Sequence, residues 1–244
     1  LTDPRWLVAI VVCVAFVTES ALGFGGTVIA VAVGSMLVPM RPLLAALVPL
    51  NMVLSAYFTV RCRADIDRAV LLRRVLPYML AAMPVGMLVA ARLPESSLKR
   101  AFGGFVVLLS CVELARAARS TPARPLTRNA SRAMLAAGGA VHGMFGVGGP
   151  LAVYVISRWI TAKGPFRATL NALWLTLNVV FLVPYVREGL VSAQSLRASL
   201  ALSPALAVGM VLGELAHRHV PQRHFRSGVY VMLLAAGAML VARG

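Results

Sequence analysis

A glycine-rich turn interrupts strongly apolar sequence twice, as Gly23-Phe24-Gly25-Gly26 and as Gly146-Val147-Gly148-Gly149, at an offset of 123 residues. In hydrocarbon an unpaired peptide N–H or C=O costs several kcal/mol, so broken backbone is tolerated there only where protein buries it or where it lines a cavity. Two such breaks at matching places in the two halves of a chain predict a ligand site built from discontinuous helices, as in transporters.

The composition supplies the membrane that this argument needs. Hydrophobic residues make up 59% of the 244 positions, charged residues only 13%, and the mean hydropathy is +0.83, so the chain reads as an all-α polytopic membrane protein of the cell membrane, the inner one in a bacterium. A net charge of +16 raises the question of nucleic acid, but the basic residues sit in short clusters between apolar runs, where the bilayer accounts for them and no nucleic-acid partner is expected. Cys13, Cys62 and Cys111 have neither CxxC nor metal-ligand spacing and read as free thiols. The first 22 residues lack a multiply charged leader and an A-x-A cleavage site, so they read as a helix of the mature protein.

Charge clusters, prolines and glycines mark off ten apolar segments: 6–22, 27–38, 43–60, 70–91, 98–118, 131–145, 150–161, 166–186, 194–216 and 224–242. The second and seventh hold only about 12 residues, about 18 Å of helix against roughly 30 Å of hydrocarbon, and are expected to be half-helices. The two halves align beyond the glycines. At the same offset Glu19 pairs with His142, Pro42 with Pro165, Ala45 with Ala168 and Ser55 with Asn178; after a four-residue insertion Pro77 pairs with Pro204, Gly86 with Gly213 and Pro94 with Pro221. This predicts two five-segment repeats, 1–119 and 131–244, joined by a Pro-containing linker at 120–130.

An odd number of segments per repeat inserts the second copy upside down, and charge tests that geometry. Strict alternation puts 16 of the 24 Lys and Arg on one face, including Arg61, Arg63, Arg68, Arg73 and Arg74, then Arg116 to Arg132, then Arg158, Lys163 and Arg167, then Arg218, Arg223 and Arg226. Equivalent loops carry opposite bias: five arginines after segment three face only Arg187 and Arg197 after segment eight, while Arg41 alone corresponds to Arg158, Lys163 and Arg167. Inverted repeats predict that reversal and parallel repeats do not.

Each glycine turn leads into a short helix, with Pro150 placed where a first helical residue needs no N–H and Thr27 offering a hydroxyl cap. Free N–H groups and the positive dipole end then form an anion site without any lysine or arginine; close packing through small residues is the alternative role for the same glycines. Glu19 and His142 lie one turn before the breaks, where an ionised side chain costs about 2.5–3.5 kcal/mol near the membrane centre, so a coupling or gating role is open to them, as is a neutral His bonded to backbone.

The run His142-Gly143-Met144-Phe145-Gly146-Val147-Gly148-Gly149-Pro150-Leu151, followed by Tyr154, Phe166-Arg167-Ala168-Thr169-Leu170 and Asn178, resembles the second-half signature of the TauE/SafE sulfite exporter family. Gly23-Phe24-Gly25-Gly26, Pro49-Leu50-Asn51, Asp65-Ile66-Asp67 and Leu93-Pro94 follow the family's order in the first half, with Thr27 where a further glycine is common. The resemblance implies passage of a small sulfur-containing anion, such as sulfite or a sulfonate, through a midplane site between two half-helix N-termini. It implies backbone donors at Gly25, Gly26, Gly148 and Gly149, with Thr27 also among the substrate-binding residues and Asn51, Ser55, Asn171 and Asn178 completing a hydrogen-bond cage.

Other function classes fare worse. There is no HExxH, GxSxG or P-loop, and His142, His217, His219 and His224 show no carboxylate pattern, so no enzyme, cofactor or metal site is expected. A proton-coupled permease for another small organic anion and a non-transporting membrane scaffold remain as alternatives to a potential-driven exporter.

Overall fold

The computed structural model describes residues 4–119, 126–219 and 222–243, and 87% of these described residues are helical with no strand among them. Among the described residues ten α-helices follow in order: α1 (Pro4–Leu22), α2 (Gly26–Gly34), α3 (Met40–Arg61), α4 (Leu76–Arg92), α5 (Glu95–Arg119), α6 (Arg128–Phe145), α7 (Gly149–Ile156), α8 (Lys163–Arg187), α9 (Ala193–His219) and α10 (Gln222–Arg243). A π-helical turn, Val70–Val75, runs directly into α4. Of the linker expected at 120–130, residues 120–125 lie outside the described residues, and α6 starts at Arg128 behind a Thr127 hydroxyl that accepts from the Ala130 N–H. The side chains of Arg116, Arg119, Arg218, Arg223, His224 and Arg226 also lie outside the described residues.

Among the described residues four helices are long and apolar enough to cross a bilayer: Met40–Arg61, Val70–Arg92, Lys163–Arg187 and Ala193–His217. The short elements begin one residue before the apolar runs 27–38 and 150–161 and end well inside them. Helices α2 and α7 have 9 and 8 residues and end at the C-cap residues Ser35 and Ser157. At about 1.5 Å per residue they reach only about 12–14 Å.

The chain forms two compact units, each drawing helices from both sequence halves. The first comprises Leu1–Leu44, Leu93–Pro122 and Leu200–Gly244; the second comprises Ala45–Arg92 and Ala123–Ser199. Small residues set the packing in both, as expected where lipid removes the hydrophobic drive between helices and close backbone approach takes over. In the first unit α5 and α10 cross at Gly103 and Gly237, and a Cβ on Gly103 would sit 2.9 Å from the Gly237 carbonyl oxygen. There α9 also packs on α1, where a Cβ on Gly213 would sit 2.6 Å from the Val17 oxygen. In the second unit α4 packs on α6, with Gly139 and Gly143 against the Met79 and Met83 carbonyls and Gly86 against that of Ala140. Gly86 and Gly213 are the positions that the expected repeat pairs, and Ala140 and Val17 stand 123 residues apart. One glycine-to-carbonyl contact is therefore made twice, once within each unit.

Polar contacts fix the helix starts. Within the first unit Glu95 Oε1 accepts from the Met40 N–H at 2.5 Å, tying the start of α3 to α5. In the second unit the Asp67 N–H donates to Thr169 Oγ1 at 2.9 Å, joining the loop before α4 to α8. Around that loop Arg61, Arg74, Arg158 and Arg167 lay their guanidinium groups on Tyr57, Trp159, Tyr154 and Phe58, the usual way a cation anchors at an amphipathic boundary.

Candidate functional site

Within the first unit α1 ends at Gly23, whose φ of 80° is left-handed and whose N–H bonds the Glu19 carbonyl at 2.7 Å. Gly25 follows at φ 93° as the N-cap of α2 and offers no side chain to the free amides. Thr27 is not the cap that its hydroxyl suggests; it lies inside the first turn, and its own N–H is the group being capped. The acceptor is Glu19, whose Oε2 lies 3.0 Å from the Thr27 nitrogen and whose side chain is only 4% exposed. Gly26 permits this approach, since a Cβ there would strike the Ala15 carbonyl and sit 2.7 Å from Glu19 Cβ.

The second unit repeats the construction with different chemistry. Helix α6 ends at Gly146, φ 64°, whose N–H bonds the His142 carbonyl at 2.7 Å. Gly148 is the N-cap of α7, and its N–H donates to His142 Nδ1 at 3.1 Å. A Cβ on Gly148 would strike the Gly138 carbonyl and lie 2.6 Å from His142 Cβ. Pro150 stands where the first break has Thr27, so no N–H exists at that position and the bond falls on Gly148 instead. Glu19 and His142 thus do the same job: each reaches forward from the preceding helix to satisfy an amide that a helix start leaves open.

The bond from Gly148 fixes the histidine tautomer. An Nδ1 that accepts carries no proton, so the imidazole is neutral and its proton is on Nε2. The ring is 2% exposed, stacks on Trp174 at 6.3 Å and 11°, and meets Phe181 edge-on at 5.9 Å. Asn178 on α8 lies against it. Asn178 Oδ1 and His142 Nε2 nevertheless do not meet in hydrogen-bond geometry, and each buried atom lacks a bonded partner among the described residues. Asn178 Nδ2 donates to Asn51 Oδ1 at 2.8 Å, and Ser55 Oγ donates to the same oxygen at 3.2 Å.

Asn51, Ser55, Asn178, His142 and Gly148 are therefore brought together, with Gly149 as the first residue of α7. Asn171 lies two turns before Asn178 on α8, where its Nδ2 bonds the Arg167 carbonyl at 2.8 Å and its Oδ1 is open. Gly25, Gly26 and Thr27 belong to the first unit and to the Glu19 cap. The aromatic walls, Trp174 and Phe181, were not singled out by sequence reasoning; their i, i+4 and i+3 spacing about Asn178 and Leu177 carries a helical signal that any buried face shares. Of the C-terminal histidines, His217 meets the Ala21 carbonyl oxygen at 2.7 Å and His219 that of Leu215 at 2.9 Å. No cluster of metal-ligating side chains occurs among the described residues.

Removing Asn178 separates support from contact. Asn178→Leu leaves the Asn51 carbonyl with Ser55 alone, a cost of about 0.5–1.5 kcal/mol for one lost hydrogen bond. The expected drop in thermal midpoint, read in detergent by tryptophan fluorescence, should be largely restored by Asn178→Gln and not by Asn178→Ala.

The model for the family described as Sulfite exporter TauE/SafE matches residues 7–240. No curated protein and no solved structure matches the chain.

Proposed function

The chain belongs to the TauE/SafE sulfite exporter family of membrane transporters, and from that premise we propose that it passes small sulfur-containing anions, sulfite or sulfonates, outward across the cell membrane. The observation that carries this reading is a helix break whose α7 start, His142 and Asn178 are buried together without a cationic side chain among them. Backbone amides and the positive end of a helix recognise an oxyanion in such a place, and the absence of a fixed positive charge leaves binding weak enough for release. The Gly86–Ala140 and Gly213–Val17 contacts support a structural repeat. Inversion of that repeat, and alternating access by rearrangement of its copies, belong to the proposal and rest on the reversed charge bias of equivalent loops.

Export needs no coupling ion. One negative charge moving outward down a potential negative inside gains about 2.3 kcal/mol per 100 mV. Basic residues at the loop before α4 raise the local anion concentration on their side. Proton coupling has one observation in its favour, the buried carboxylate of Glu19, but that group is engaged on the Thr27 amide.

Proteoliposomes test both levels. With a potassium-diffusion potential and no pH gradient, sulfite and sulfonates should leave protein-containing vesicles well above the rate from empty ones. Flux that appears only with a pH gradient would replace the potential-driven mechanism by a proton-coupled one. No flux of sulfite, sulfonates or carboxylates under either condition would reject transport in favour of a scaffold.

A further inference from the structure

Three of the apolar spans meet at one level of the second unit. Helix α3 ends at Arg61, the span Val70–Arg92 opens on the π-helical turn, and α8 starts at Lys163. Contacts join these ends into one face: the Asp67 N–H donates to Thr169 Oγ1 at 2.9 Å, Arg74 lies over Trp159 at 5.6 Å, and Arg167 lies over Phe58 at 4.7 Å. Helices whose length matches the hydrocarbon put such ends among the lipid headgroups.

The positive charge on that face far exceeds what its own carboxylates balance. Residues 61–74 carry five arginines and residues 158–167 two arginines and a lysine, against Asp65 and Asp67 alone. Asp67 Oδ1 is already engaged on the Val70 N–H at 2.9 Å, and among the described residues no carboxylate pairs with the exposed Arg63, Arg68 or Arg73. The other ends of α4 and α8 carry only Arg92, Arg187 and Glu188, with Arg197 near the start of α9. Apolar surface is interleaved with the charge, since Val60 and Leu72 are 71% and 57% exposed. Covering both favours a partner that brings hydrocarbon as well as phosphate.

We infer that this face of the second unit binds anionic phospholipid, with the headgroup phosphate on the arginines around the π-helical turn and acyl chains against Val60 and Leu72. Arginine suits the role because its planar fork meets phosphate oxygens in two parallel N–H bonds. Arg61 over Tyr57 and Arg74 over Trp159 are restrained before any lipid arrives, which lowers the cost of ordering them, and an aromatic face occupies the π surface of a guanidinium while leaving its N–H edge for the phosphate. A basic cluster at the end of a span also gains from the negative potential of an anionic leaflet. None of this depends on which anion the protein passes.

Thermal unfolding in a neutral detergent reads the interaction. Dihexanoyl phosphatidylglycerol should raise the midpoint by about 3 °C or more, and dihexanoyl phosphatidylcholine, with the same chains and no net charge, by less than about 1 °C. Arg68→Gln combined with Arg73→Gln should remove about half of that shift or more, and both side chains are exposed, so the fold should tolerate the change. The same charge removed at the opposite ends, by Arg187→Gln with Arg197→Gln, should leave the shift intact. Equal shifts with the two lipids, or equal losses in the two double variants, would overturn the inference. An equal shift from glycerol phosphate, the headgroup without its chains, would reassign the arginines to a free phosphate compound, and one from polyglutamate would reassign them to an acidic protein; either result sinks the lipid assignment. The comparison of the two lipids on wild-type protein needs no variant to fold.

Discussion

Gly148→Val should abolish anion efflux and lower the thermal midpoint, whereas Gly104→Val should do neither. Gly148 has an ordinary φ of −91°, so the requirement for glycine there is one of space. A Cβ would strike the Gly138 carbonyl and come within 2.6 Å of His142 Cβ, and neither neighbour can yield, because one is helix backbone and the other is held by its bond to this same residue. Moving the turn away from α6 breaks the Gly148 to His142 bond and unseats the α7 start. Overpacking of this kind costs about 1–3 kcal/mol or more, and a displacement of about 1 Å at a binding group suffices to cost about a hundredfold in rate. Gly104, on α5, has nothing within 4 Å of the place a Cβ would occupy and controls for the general effect of replacing a helical glycine. Wild-type efflux by Gly148→Val, in protein that elutes as a single species, would show that close approach of the α7 start to α6 is not needed.

Much of this arrangement is legible in the residues and some is not. Gly23 and Gly146 are readable as helix ends because both adopt the left-handed φ that other residues avoid, and both N–H groups bond the carbonyl four residues back. Ser55 and Asn178, which the expected repeat pairs, both donate to Asn51 Oδ1. The register inside the breaks is hidden. GFGG and GVGG align residue for residue, yet the glycine pressed against the preceding helix is Gly26 in one copy and Gly148 in the other, one position apart at the offset of 123. The cause is local: Pro150 has no N–H to cap, so the bond made by Thr27 in the first copy moves to Gly148 in the second. Spacing alone also leaves Glu19 and His142 as groups in search of a role. Only the fold shows them spanning eight and six residues to reach an amide. The ends of α2 and α7 escape detection for the opposite reason, since Met36-Leu37-Val38 and Trp159-Ile160 lie beyond the last helical residues Gly34 and Ile156.

Gly86→Leu should be the most destabilising single change at a helix crossing, lowering the thermal midpoint in detergent by about 5–10 °C on the scale that relates about 1–3 kcal/mol to a chain of this length. A Cβ on Gly86 would overlap the Ala140 carbonyl group and approach its Cα, so the obstacle is α6 backbone and not a side chain that can turn aside. Gly213, which the expected repeat pairs with it, makes a like contact in the other unit under milder terms. A Cβ on Gly213 would sit 2.5 Å from Ser20 Cβ and 2.6 Å from the Val17 oxygen, so Gly213→Leu should destabilise in the same direction by less. The order matters because α6 carries both His142 and the carbonyls against which α4 packs. A leucine at Gly86 pushes on the helix that positions the imidazole, and efflux should fall even at temperatures where the protein remains folded. If Gly86→Leu unfolds no earlier than Gly213→Leu and transports normally, the α4–α6 contact is looser than its glycines imply, and the rigid support it gives to His142 must come instead from Trp174 and Phe181 on α8.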